Sequence, residues 1–216
     1  MAVKRKPVVM YSTDLAFASA AAAYRINNNQ YTTVITTIAE PTRLPNKVVL
    51  RSVIQNTTEI TDADRELGAK VREYLKTYLF KIVAGVQLNE FDSKALSLAT
   101  VEEISERDLG YVAYYPVIYE HAQQQQTIDE RIFNCSAGYL GKVGDKVEVA
   151  AEIVKSFYSR NWNTTYHTAI TADNCAVRFT YKEQLQVGSR VTLTGKVKEH
   201  GNGYMTKLNY VKLITK

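Results

Sequence analysis

A mainly β chain with α-helical elements is predicted for these 216 residues: an N-terminal α+β region over 1–137, then a small five-stranded β-barrel over 138–216. Three observations predict it. An amphipathic helix stands out at about 62–84. Short alternating strands separated by turn residues begin at Gly138. The excess positive charge is confined to that second segment.

Charge separates the two parts most plainly. Through Gly138 there are 15 Lys and Arg against 16 Asp and Glu, a net of −1; from Tyr139 onward there are 12 against 6, a net of +6. A localised basic surface is the electrostatic footprint of a phosphate-backbone binder. A solvated basic surface without a ligand is the alternative on charge alone.

In the first part, Ser12, Thr13 and Asp14 offer N-cap groups to an alanine-rich helix over 15–24, which Asn27-Asn28-Asn29 breaks. Residues 31–38 and 47–54, rich in Thr, Val and Ile, read as strands on either side of a turn flanked by Pro41 and Pro45. Thr61 with Asp64 resembles a capping box. Leu67, Val71, Tyr74, Leu75, Tyr78, Leu79 and Ile82 then recur at three- and four-residue steps as one stripe, assigned to the core, and Gly85 closes the helix. Residues 101–104 look helical. Pro116 is expected to end or kink a helix among Tyr111, Tyr114, Tyr115 and Tyr119, a cluster that could be a base-stacking platform or ordinary packing. Gln123 to Gln126 reads as a loop or a frayed helix end.

In the second part, Val147, Val149, Ala151 and Ile153 alternate with Glu148, Ala150 and Glu152 in a long first strand running on to Tyr158. The loop Arg160-Asn161-Trp162-Asn163 leads to a second strand with Tyr166, Thr168 and Ile170 on one face and His167, Ala169 and Thr171 on the other. Cys175, Val177 and Phe179 belong to a third strand. Residues 182–188 form a connector, with room for one helical turn. Val191, Leu193, Gly195 and Val197 mark a fourth strand, and a glycine-rich loop at 200–203 precedes a fifth. Five strands, a connector after the third and a glycine that lets the fourth curve match the OB layout. In that fold the second and third strands, with the loops after strands one and four, form the binding groove.

Single-strand binders need cations along the phosphates and flat side chains for the bases. The candidates are Arg160, Arg178, Lys196, Lys198 and Lys207 as cations, and Trp162, Tyr166, His167 and Tyr204 as flat groups. The alternative places Phe157, Tyr158 and Tyr166 inside the barrel, with Trp162 capping its end.

The stretch Leu185-Gln186-Val187-Gly188-Ser189-Arg190-Val191-Thr192-Leu193-Thr194-Gly195-Lys196-Val197-Lys198-Glu199-His200, followed by Thr206-Lys207-Leu208-Asn209-Tyr210-Val211-Lys212, resembles the closing strands of OB domains in bacteriophage single-stranded DNA-binding and replication proteins. Ala22-Ala23-Tyr24-Arg25-Ile26-Asn27 is also similar to phage replication-gene products. The resemblance implies a DNA-binding role in phage replication or recombination. Tyr210 stands where the related motif often carries arginine, which removes one cation. The final residues, Val211 to Lys216, stand where many such binders carry an acidic tail, so contacts with replication or recombination proteins are expected in the N-terminal part.

Other chemistry finds little footing. There is no Walker-type loop, and His121, His167, His200 and the two cysteines lack zinc spacing. Glu102, Glu103, Glu106 and Asp108 form an acidic cluster that a metal-dependent nuclease could use, but on a charged helix it reads as a solvated face. No run of apolar residues is long enough to cross a membrane. Cys135 and Cys175 allow one disulfide or two reduced thiols; the expectation is a reducing cytoplasm, the host's if the chain is phage-encoded. The expected function is therefore non-catalytic binding of single-stranded DNA, with RNA open, no cofactor and a homo-oligomer allowed. The rivals are an accessory subunit to a nuclease or primase, and an OB module that binds protein and no nucleic acid.

Overall fold

The computed structural model describes residues 8–35, 43–135 and 138–214. The chain divides into two compact units, Met1–Gln123 and Gln124–Lys216, and the division falls inside a helix, whereas the sequence suggested 137/138.

Met1–Gln123 is helical around a central alanine-rich rod. Helix α1 (Thr13–Ile26) is capped by Ser12, whose hydroxyl accepts from the Leu15 amide, and Ala16 through Tyr24 are all buried. Its small side chains let α3 (Asp62–Lys76) come so close that a Cβ on Gly68 would stand 2.7 Å from the Ala18 nitrogen. The capping box at α3 is formed as expected, with the Thr61 amide and hydroxyl both donating to Asp64. Asp64 also receives Arg25 from the end of α1 through paired guanidinium bonds of 2.9 and 2.8 Å.

Several expectations for this unit are corrected. Residues 47–54 are not a strand but the body of α2 (Asn46–Gln55): Val49, Leu50, Val53 and Ile54 are buried while Lys47, Val48, Arg51 and Ser52 are exposed. That spacing is helical, and it outweighs the β-branched content. Residues 31–35 are irregular; the rest of the expected first strand, with Pro41, lies outside the described residues. The long helix is interrupted at Thr77, so α4 (Tyr78–Val83) is separate, and Leu79 and Ile82 face solvent instead of core. Residues 101–104 are not helical: Ile104 lies in β2 (Glu103–Ser105), which pairs antiparallel with β1 (Met10–Ser12). The acidic cluster is correspondingly spread over β2 and a 3-10 turn, with Glu106 paired to Arg51 and Asp108 to Lys94. Helices α5 (Glu90–Thr100) and α6 (Leu109–Val112) complete this part.

Pro116 neither ends nor kinks a helix. It sits in the first turn of α7 (Tyr115–Phe133), where its missing N–H costs nothing. Gln123 to Gln126 is likewise neither loop nor frayed end but mid-helix, where Gln125 and Gln126 donate to Asp129 and Glu130 one turn on.

Gln124–Lys216 is an OB-like closed barrel of five strands: β3 (Lys146–Ser159), β4 (Thr164–Thr171), β5 (Ala176–Tyr181), β6 (Arg190–His200) and β7 (Thr206–Ile214). The order is β3-β4-β5-β7-β6, closed by β6 on β3; every pairing is antiparallel except β5 with β7. The connector 182–189 contains no helix. Ile153, Ala169, Val177, Phe179, Leu193 and Leu208 fill the interior. Gly195 fits a tight spot there: a Cβ would meet Val211 Cγ2 at 3.2 Å and Leu208 Cβ at 3.3 Å.

Candidate nucleic-acid interface

Strand register builds a surface on the outside of the barrel. Lys155 on β3 pairs with Thr168 on β4, Thr168 with Arg178 on β5, and Arg178 with Lys207 on β7. Three cations therefore lie in one row across four strands. The next row, one step toward the β3–β4 loop, holds Phe157, Tyr166 and Thr180. Phe157 is 59% exposed and Tyr166 half-buried. Beyond them the loop carries Arg160 and Trp162, both exposed; Trp162, at 75%, is the chain's single tryptophan. The loop is tied by the Tyr158 hydroxyl, which donates to Asn163, itself at φ +45.

A β-bulge creates this pattern. Between Ile153 and Lys155 the β3 register slips by one residue, so Lys155 and Phe157 turn outward and Ser156 turns in. An uninterrupted alternation would have put a lysine inside the barrel. Lys155 was missed by the sequence reading, and the alternative that put Phe157 and Tyr158 inside the barrel is corrected, since both are exposed; that misplaced lysine is the signal that could have found the pattern.

His167 is corrected: it is fully buried in the barrel, where no base can stack on it. Its Nε2 lies 3.1 Å from the Glu183 carbonyl oxygen, which can only accept, so Nε2 carries the proton. Nδ1 then accepts from the Ser156 hydroxyl at 2.7 Å. Burial holds the imidazole below its ordinary pKa, opposed in part by the Glu183 bond, so the ring is neutral at pH 7.

The C-terminal half of α7 forms one wall of the surface. Lys155 donates to Gln125, Arg131 pairs with Glu152 at 3.0 Å, and Ile132 and Cys135 pack against Ile170, Ala176 and Met205. Asp129 and Phe133 then face Arg178, Lys207 and the glycines of the β6–β7 loop across a cleft of about 450 Å³. Lys207 is bonded to Glu199 at 2.6 Å. Arg178 is exposed and has no ion pair or hydrogen bond among the described residues.

Tyr204 lies in the β6–β7 loop, at the opposite end of β5 from Trp162, in the left-handed region at φ +58 and 55% exposed. It meets Tyr139 edge-on, and Tyr139 stacks on His200 with ring centroids 4.2 Å apart. Lys196 and Lys198 are exposed on β6, the strand next to β7. Lys198 adjoins Glu199, the register partner of Lys207, and Lys196 lies in the following row with Lys146 and Asn209.

No cluster of three or more His, Cys, Asp or Glu suited to a metal occurs among the described residues, and none of their helices is long and apolar enough to cross a membrane. Cys135 and Cys175 are free and buried. No protein-family model, curated protein or solved structure matches this chain.

Proposed function

We propose that this protein binds single-stranded DNA without strong sequence preference, on the outer face of its barrel, in phage replication or recombination. The observation that carries the reading is the pair of adjacent rows: Lys155, Arg178 and Lys207 for phosphates, Phe157 and Tyr166 for bases. Arg160 and Trp162 extend the track at one end. Charge that follows a backbone and rings that accept any base make a sequence-tolerant site. The cleft between α7 and the β6–β7 loop leads the strand over Arg178. The replication context rests on the resemblance of the closing strands.

The test uses the single tryptophan. Exciting Trp162 while adding oligo(dT) at several salt concentrations is expected to give quenching. Engagement of four cations, Lys155, Arg160, Arg178 and Lys207, would make log K fall against log salt with a slope of about −3. No quenching and no retention on single-stranded DNA at low salt would overturn the proposal. An oligo(rU) titration run in parallel reads the preference between DNA and RNA.

A further inference from the structure

Met1–Gln123 carries a second concave site that the barrel surface does not explain. A pocket of about 400 Å³ is lined by Tyr31, Phe91, Tyr111 and Tyr114, by the cations Lys47 and Arg107, and by Gly110. That volume lies within the range of small-molecule sites.

The rings are arranged as walls around a space. Tyr31 and Tyr114 meet at 4.8 Å between centroids and an angle of 58°, and Phe91 stands edge-on to Tyr114 at 6.1 Å. Phe91 and Tyr111 are 6.3 Å apart, and Tyr111 is 45% exposed, with the Lys94 ammonium 5.9 Å from its ring centroid. Gly110 lies against the Lys47 side chain, whose ammonium would stand 3.4 Å from a Cβ at that position.

The charges select the ligand. The neighbouring acids are engaged elsewhere, Glu106 with Arg51 at 3.4 Å and Asp108 with Lys94 at 2.8 Å. Among the described residues, Lys47 and Arg107, both exposed, have no ion pair, and no carboxylate lines the pocket. Aromatic walls with carboxylates would suit a cationic ligand; aromatic walls with two unpaired cations suit a flat, anionic one.

We propose that this pocket binds a nucleobase together with its phosphate, the base against Tyr111 and Tyr114 and the phosphate on Lys47 and Arg107. The nucleotide comes either from a single strand or as a free mononucleotide. The site stands independently of the barrel reading.

The full chain is tested by photo-crosslinking with two probes, an oligo(dT) carrying 5-iodouracil and free 8-azido-AMP, followed by peptide mapping. Labelling of Tyr31, Tyr111 or Tyr114 is expected, reduced about tenfold in a Lys47→Glu, Arg107→Glu double variant whose circular dichroism matches the parent. Labelling in the parent is also expected to fall steeply between about 50 and 500 mM salt, which needs no variant. Labelling by the oligonucleotide alone identifies a strand contact, and labelling by azido-AMP alone a free nucleotide. Absence of label from all three tyrosines with both probes, label undiminished in the double variant, or label insensitive to salt overturns the proposal. Because labels are read by peptide, loss of barrel binding leaves this outcome unaffected.

Discussion

The helical unit and the barrel build their interiors by opposite routes. Met1–Gln123 obtains close packing from side chains that are nearly absent: alanines line α1, and Gly68 lets α3 rest on its backbone. Gln124–Lys216 obtains it from alternation, with Ile153, Val177, Leu193 and Phe179 pointing inward. The buried polar groups differ as well. The helical unit buries a carboxylate, Asp64, held by Arg25 and Thr61, whereas the barrel buries a neutral imidazole, His167, held by Ser156 and Glu183. The lesson is that the two units are vulnerable to different changes: one to added atoms, the other to an added proton.

The largest expected effect comes from filling the helix crossing. Gly68→Val places three carbons against the α1 backbone and is expected to destabilise the helical unit by about 3 kcal/mol. Denaturant unfolding followed by far-ultraviolet circular dichroism reads this unit, while Trp162 fluorescence reads the barrel. A parallel shift of the Trp162 transition would break the distinction between the units. Asp64→Ala removes both the capping box and the receiver of Arg25, and is expected to cost about 2 kcal/mol by the same measurement.

For the surface, Arg178→Glu is expected to weaken oligo(dT) binding about tenfold and to flatten the salt slope by roughly one, with both unfolding transitions unchanged. Equal weakening by Lys196→Glu would show that the strand does not discriminate the Arg178 surface from β6.

Acid separates the units more gently. Burial alone would raise the Asp64 pKa, but Arg25 and the Thr61 donors outweigh it and hold the carboxyl below its ordinary value. Its contribution is complete above about pH 4 and is lost only as pH falls through that depressed value. For His167 the folded pKa is depressed, so the unfolded chain binds more protons just below about pH 6.5. The barrel is therefore expected to lose stability as pH drops from 7.5 to 5.5 while the helical unit holds. His167→Gln should abolish that slope; a slope that survives would remove His167 as its cause.

The smallest effect has the opposite sign. Tyr204→Gly relieves a left-handed φ and is expected to stabilise the barrel by about 1 kcal/mol. Oligo(dT) affinity should fall in the same variant if the Tyr204 ring contacts the strand.

Legibility followed the length scale of each signal. The capping box at Thr61 and the positions of the five barrel strands are written in local spacing, although a bulge in β3 breaks the alternation after Ile153. The helix α2 was legible too, in the spacing of Val49, Leu50, Val53 and Ile54, but composition pointed the other way. The pairing of β1 with β2 was not legible, because partners 91 to 95 residues apart leave no local pattern. For the candidate interface, sequence supplied the residue types. Trp162 and Arg160 could be placed because a polar loop exposes what it carries.

By itself, then, the sequence determined the barrel's strands, the confinement of positive charge to that segment and the capped start of α3, since each follows from neighbours along the chain. Only the tertiary structure decided which candidates share a face. Cross-strand register set Arg178, Lys207 and Tyr166 together with the unforeseen Lys155, turned Phe157 outward, placed Lys196 two strands from Arg178 and drew His167 inside. For Lys155 and Phe157 the physical reason is one bulge in β3, which reverses the facing of the residues after it; for the rest, a row across strands joins partners far apart in the chain, which local spacing does not record.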